Sequence, residues 1–145
     1  MKKLLFVLLA VVVLISIGVI YSPIAQAAGN VKGAQVVVYY LHGQARCPTC
    51  YKMEQYSREA IEANFKDALL LGKLGFKVIN VEDKGNERYA KDYQLYTKSL
   101  ILSLVKDGKE IKWTNMNKIW EYVGDKQKFT DYVKNGVADL LKEAQ

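Results

Sequence analysis

Cysteine and histidine are scarce in this chain, and all of these residues lie in one short stretch. The 145 residues include two cysteines, Cys47 and Cys50, and one histidine, His42. A structural zinc site normally needs four ligands, so these three side chains make such a site unfavourable. A bridge between Cys47 and Cys50 would close a loop of only a few residues, which stabilises a fold far less than the long-range disulfides of exported proteins. Chemistry therefore explains the cysteine pair better than structural crosslinking does.

The charged residues also lack any patch of one sign. The net charge is +6 at pH 7, and the Lys and Arg residues are interleaved with Asp and Glu. A nucleic-acid-binding protein would need a basic stripe or stacked aromatic residues on a reading element, and neither is present in the sequence. The sequence also has no glycine-rich flavin fingerprint. We therefore expect no nucleic-acid partner and no cofactor.

The first 27 residues have the composition of an export segment. Two lysines precede a run from Leu4 to Ile20 without a charged residue, and residues 25–27 read Ala-Gln-Ala. This small-x-small pattern is one that signal peptidase accepts, so we predict a signal peptide cleaved after Ala27. The alternative is an uncleaved membrane anchor through residues 4–20, which at ~1.5 Å per residue would span roughly 26 Å of a ~30 Å hydrocarbon core. In both cases the rest of the chain would be extracytoplasmic, in the periplasm or on the outer face of the cytoplasmic membrane.

Residues 28–145 are expected to form one α/β domain. Strands are predicted from Gln35 to Leu41 and at residues 75–81, 99–105 and 110–113, the last two joined by the Asp-Gly turn at residues 107–108. A helix is predicted from Cys47 to Leu70, a second one from about Asn86 and a last one capped by Asp125. The second helix should carry three rings on one face: Tyr89, Tyr93 and Tyr96. The order is βαβαββα, which predicts a four-stranded mixed sheet with helices on both faces.

The Cys-Pro-Thr-Cys motif begins where the first long helix is predicted to start. There, free backbone N–H groups and the positive end of the helix dipole would stabilise a thiolate on Cys47, which makes this residue the expected nucleophile. Cys50, one turn along and more buried, would resolve the mixed disulfide. Arg46 would either favour the thiolate further or be a solvated loop charge. His42 would either handle a proton near the thiols or have a structural role at the end of the first strand.

This constellation resembles the thioredoxin family, in which a Cys-Pro-x-Cys-type motif after the first core strand opens the first core helix of a βαβαββα domain. Three departures accompany the resemblance. No Trp precedes Cys47, and no Asp or Glu lies in the first strand. Ser99 and Leu100 occupy the region where the family has a substrate-binding cis-proline. The resemblance therefore implies thiol–disulfide chemistry with weak activity on generic substrates.

Three longer strings resemble a more specific family of small exported thioredoxin-like proteins, the nitrophenyl compound nitroreductase subunit family (ArsF-type). They are YYLHGQARCPTCYKMEQYSREA, INVED and KDYQLYTKSLILSLVKDGK. We therefore predict an extracytoplasmic thiol–disulfide oxidoreductase or electron-relay subunit that works with a redox partner protein, which the membrane could hold. The alternative is a soft-metal or metalloid module in which Cys47 and Cys50 bind Cu(I) or As(III). A redox-inert binding domain with vestigial thiols is a third reading.

Overall fold

The computed structural model describes residues 33–145. The predicted export segment or anchor, with its cleavage site after Ala27, lies outside these residues and stays a prediction. None of the helices between Gly33 and Gln145 is long and apolar enough to cross a membrane.

Four strands and five helices make up the described part of the chain. In chain order they are β1 (Ala34–His42), α1 (Pro48–Asn64), α2 (Lys66–Leu70), β2 (Leu74–Asn80), α3 (Glu87–Asp92), β3 (Ser99–Lys106), β4 (Lys109–Asn115), α4 (Ile119–Tyr122) and α5 (Lys126–Glu143). The sheet order is β2-β1-β3-β4. Strand β1 pairs with β2 in parallel and with β3 in antiparallel, and β3 and β4 form an antiparallel hairpin. This topology confirms the predicted thioredoxin-like α/β fold with a four-stranded mixed sheet.

Strand β1 lies in the middle of the sheet, and its side chains alternate between two apolar layers. Val36, Val38 and Tyr40 are fully buried in the larger layer, which α1 and α5 complete. Leu41 points to the opposite face and packs with Ile101 and Tyr93. Because both faces of β1 are covered, its sequence is a continuous apolar run rather than an alternating one, as the first-strand prediction assumed. The end of this buried strand holds the loop that leads to Cys47.

The first long helix differs from the prediction in one respect. It begins beside Cys47 as expected, but α1 ends at Asn64, and Phe65 has φ −134° and ψ 33° before α2 continues to Leu70. The side chain of Phe65 packs against the main core, a contact that accompanies the break in the helix. The chain then turns at Gly72, whose φ of 67° favours glycine, close to the predicted stop.

The prediction that three rings share one face of the second helix is wrong for Tyr96. Helix α3 ends at Asp92, and Gln94 has φ 51°, which turns the chain out of the helical path. Tyr89 and Tyr93 are stacked with ring centroids 6.2 Å apart. Tyr96 is 98% exposed. A helical period cannot continue through a residue with a left-handed backbone, so only two of the rings share the face.

The other turn and cap predictions are confirmed. Asp107 and Gly108 have φ values of 50° and 78°, as expected for a tight turn that matches the twist of a β-hairpin. Asp125 is the N-cap of α5, and its side chain accepts a hydrogen bond from the Lys128 N–H at 3.1 Å.

Candidate redox site

The two cysteines lie at the start of α1 and are joined as a disulfide. Cys47 is the N-cap residue with an extended backbone, and Cys50 is the third helical residue, with a Cα–Cα distance of 5.1 Å between them. Cys47 is exposed, whereas Cys50 is only 1% exposed. The structure therefore gives the pair the difference in accessibility that the sequence predicted.

Backbone N–H groups point at both sulfurs. The Cys50 N–H donates to Cys47 Sγ at 3.3 Å, and the Cys47 N–H donates to Cys50 Sγ at 3.2 Å. This is the reciprocal pattern of a helix capping box with sulfur in place of oxygen. Pro48 occupies the first helical turn, where a missing N–H costs nothing. After reduction, a thiolate on Cys47 would keep the Cys50 N–H and the helix dipole as stabilising partners.

Arg46 is not a solvated loop charge. Its guanidinium forms an ion pair with Glu54 at 2.5 Å, and the two side chains are only 14% and 19% exposed. The guanidinium also stacks 4.2 Å from the ring centroid of Tyr51. The residue directly before the nucleophile is thus held against side chains of α1, and its effect on the thiol stays a prediction.

His42 is the last residue of β1 and is half-buried. Its Nδ1 lies 2.9 Å from the carbonyl oxygen of Gly43, so in the tautomer with a proton on Nδ1 the ring donates to the backbone. Its own carbonyl accepts the N–H of Val81 from the loop after β2. These contacts fit a structural role, while a proton-handling role stays a prediction.

Sequence reasoning missed Tyr40, which lies directly behind the motif. Its ring is fully buried, and its hydroxyl donates to the carbonyl oxygen of Cys50 at 2.7 Å. Burial raises the pKa of Tyr40 to about 12, partly opposed by the nearby Arg46 charge. The hydroxyl is therefore neutral at ordinary pH and ties β1 to the first turn of α1. Its position in an apolar strand resembles any core tyrosine, so the sequence carried no signal for this contact.

Sequence reasoning also missed Glu54. It accepts hydrogen bonds from Arg46 on one carboxylate oxygen and from Arg58 on the other, the latter at 3.3 Å. The spacing of Glu54 and Arg58 predicts an ion pair along a helix. The pairing with Arg46 depends on how the loop before the motif folds back over α1, and only the tertiary structure shows it.

The region where the thioredoxin family has its cis-proline is built differently here. Ser99 begins β3, and its hydroxyl donates to the Thr97 carbonyl at 3.0 Å. Leu100 is fully buried in the main core. A cavity of about 200 Å³ lies beside this segment, lined among others by His42, Thr97 and Lys98. The segment before β3 thus contributes Thr97 and Lys98 to a cavity that His42 also lines.

The metal-binding alternative depends on the ligands that the described residues could offer a metal ion. Across residues 33–145, no group of three or more His, Cys, Asp or Glu side chains is placed to hold a metal ion. In this part of the chain a soft metal would have Cys47 and Cys50 as its thiolate ligands, after reduction of their disulfide.

Comparisons with known proteins give low-identity structural similarity. No family model matches the chain. No curated protein matches it either. Among solved structures, a thioredoxin of Fasciola hepatica is 24% identical with a TM-score of 0.38, covering 68% of this chain and 85% of that one. The protein Trxlp of Edwardsiella tarda is 17% identical with a TM-score of 0.41, covering 78% of this chain and 94% of that one. A reduced thioredoxin pre-protein of Schistosoma mansoni is 17% identical with a TM-score of 0.36, covering 68% and 80%.

The assignment of the fold rests on the strand order and on the helix that begins beside Cys47. Together with the Cys47–Cys50 disulfide at the start of that helix, this fold supports thiol–disulfide oxidoreductase chemistry.

Proposed function

We propose that this chain is an extracytoplasmic thiol–disulfide oxidoreductase or electron-relay subunit that cycles between the Cys47–Cys50 disulfide and the dithiol. The observation that carries the proposal is the asymmetry of the pair. One sulfur is exposed at a helix N-cap, and the other is buried one turn along and within bonding reach of the first. A structural crosslink over so short a loop would contribute little, whereas an exchange reaction requires this arrangement.

The reaction proceeds in two exchange steps. In the reduced protein, the Cys47 thiolate attacks one sulfur of a partner disulfide. A mixed disulfide forms, and the partner's other sulfur leaves as a thiolate that takes a proton from solvent. Cys50 then loses its proton and attacks Cys47 Sγ, which breaks the mixed disulfide and releases the second partner thiolate. Two electrons pass to the partner, and a separate dithiol protein must reduce the Cys47–Cys50 disulfide again.

The partner is proposed to be one dedicated redox protein, which the membrane could hold. Ser99 and Leu100 replace the substrate-binding proline that the family resemblance would require, which argues against broad peptide recognition. Tyr51, close to Cys47 in the sequence and 56% exposed, offers an aromatic contact for such a partner. The resemblance of three strings to the nitrophenyl compound nitroreductase subunit family further suggests a subunit that relays electrons to a separate catalytic component.

Trapping of the partner tests this proposal. In Cys50→Ser, the mixed disulfide on Cys47 cannot be resolved, so a covalent complex should accumulate in extracytoplasmic fractions and dissolve on reduction. The matched Cys47→Ser variant should trap little, because its remaining thiol is buried. In the reduced native protein, iodoacetamide should modify Cys47 before Cys50.

Two results would contradict the proposal. One is a native protein without a reversible two-electron couple, with both serine variants behaving alike. The other is a native protein that lacks such a couple and binds Cu(I) or As(III) tightly and stoichiometrically, which would favour the metal-binding alternative. Efficient reduction of insulin would contradict only the proposal of a dedicated partner, and the redox assignment would stand.

A further inference from the structure

Five side chains form a charged and aromatic cluster directly beside the redox motif. This cluster, here called the Arg46 cluster, consists of Tyr40, Arg46, Tyr51, Glu54 and Arg58. The guanidinium of Arg46 lies between two rings, 4.2 Å from the centroid of Tyr51 and 5.8 Å from that of Tyr40. Glu54 holds it at 2.5 Å, and Arg58 binds the other oxygen of the same carboxylate. Glu54, further along the helix, thus fixes the position of the Arg46 guanidinium, one residue before the nucleophile.

Partial burial strengthens the electrostatic effect of the Arg46 and Glu54 charges, because less solvent screens them. With side-chain exposures of 14% and 19%, Arg46 and Glu54 are shielded from solvent far more than an ordinary surface pair. The Nε of Arg46 is buried and has no hydrogen-bond partner among residues 33–145, so its placement costs free energy that the ion pair and ring contacts must offset. Because the arrangement has this cost, the position of the Arg46 guanidinium is expected to be important for the redox site.

Both charges act on Tyr40, which contacts the first turn of α1. Tyr40 donates its hydroxyl to the Cys50 carbonyl, so this hydroxyl touches the redox turn itself. Burial has the largest effect on the Tyr40 pKa and raises it, while Arg46 lowers that pKa and Glu54 raises it again. The two charges therefore have opposite effects at a group in contact with the motif.

We propose that Glu54 is a positioning residue that sets the thiolate fraction of Cys47 by holding Arg46 along α1 and neutralising its charge. The inference rests on the proposed function and deepens it, because the thiolate fraction governs both the rate of exchange and the stability of the reduced form. In a helix, residue 54 lies about 6 Å further along the axis than Cys50, so the ion pair draws the guanidinium toward the second turn. Without the carboxylate, the full positive charge would favour the Cys47 thiolate.

Four variants of the full chain test the inference. Glu54→Gln removes the negative charge and keeps the shape of the side chain. Arg46→Gln removes the positive charge, and the double variant removes both. Glu59→Gln is the matched control, because Glu59 is a carboxylate of the same helix, with a side chain 41% exposed, that pairs with Lys126 instead. The readouts are the iodoacetamide rate of reduced Cys47 at a pH where it is partly ionised, the equilibrium constant with glutathione, and the melting temperature.

The expected pattern is one of opposite signs. Glu54→Gln should react about threefold faster and favour the dithiol in the glutathione equilibrium by a similar factor, as expected for one partly screened charge. Arg46→Gln should react about threefold more slowly. The double variant should return close to the native rate, and Glu59→Gln should match the native protein.

A merely structural role for the ion pair would give another result. In that case Glu54→Gln and Arg46→Gln would change the iodoacetamide rate of Cys47 in the same direction, in proportion to their effect on the melting temperature. That result would refute the inference. A native rate in Glu54→Gln with an unchanged melting temperature would also overturn it. Either result leaves the proposed function standing if the native protein still cycles reversibly, whereas a native protein without a reversible couple would remove the proposed function itself.

Discussion

Replacing Tyr40 by Phe should weaken the link between β1 and the redox turn without disturbing the packing of the core. The ring is fully buried, and Phe fills the same space, so no cavity forms. What is lost is the hydrogen bond from the hydroxyl to the Cys50 carbonyl at 2.7 Å. A buried neutral hydrogen bond contributes about 1 kcal/mol to the free energy of unfolding. For a domain of roughly 110 residues, that corresponds to a fall of about 4 °C in melting temperature.

The same substitution should change how stability depends on alkaline pH. The pKa of Tyr40 is raised by burial from 10.0 to about 12 in the folded protein. The folded state therefore holds this proton more tightly than the unfolded chain. The resulting stability is fully present below about pH 10 and is lost as the pH rises toward 12. Between pH 10 and pH 12 this difference in pKa corresponds to a loss of about 2 kcal/mol in the native protein, which Tyr40→Phe does not show.

Urea unfolding of the oxidised proteins, followed by circular dichroism at about pH 8 and about pH 11.5, measures both effects. The native protein should be more stable than Tyr40→Phe at the lower pH, and the difference should vanish or reverse at the higher one. Other tyrosines with raised pKa values, such as Tyr93, are common to both proteins and cancel in the comparison. Tyr51→Phe is the control, because this ring is exposed. A difference between native and Tyr40→Phe that stays constant with pH would refute the reasoning.

Three further predictions follow from the turn, the histidine and the N-terminus. Gly108→Ala should lower the free energy of unfolding by about 1 kcal/mol in a urea titration, because its φ of 78° strains any residue with a Cβ; an unchanged midpoint would contradict this. His42→Ala should lower the melting temperature and leave the exchange rate with glutathione nearly native, since the ring bonds to the Gly43 carbonyl; a slowed rate at unchanged stability would instead support a proton-handling role. Intact-mass measurement of native extracytoplasmic protein should show a chain cleaved after Ala27; a membrane-bound full-length chain would favour the anchor, and a soluble cytoplasmic pool retaining Met1 would contradict export.

Much of the fold could be predicted from local sequence, because the relevant interactions are short in range. The apolar run of β1, the Asp107-Gly108 turn and the cap at Asp125 each depend on residues next to one another in the chain, and the structure confirms all three. The position of the cysteine pair at a helix start is of the same kind, since Pro48 and the change of hydrophobic period mark that start. Periodicity failed at Tyr96, because a single left-handed residue at Gln94 ended the pattern.

The environment of the thiols was decided by the tertiary structure alone. The spacing of the motif predicts an exposed first cysteine and a buried second one, but it carries no information about Tyr40 behind Cys50 or about the ion pair between Arg46 and Glu54. These contacts join residues that lie eight or more positions apart and come together only when the loop before α1 folds back and β1 packs beneath it. The type of chemistry can therefore be read from the sequence, whereas the charges that tune it depend on distances that only the packed chain defines.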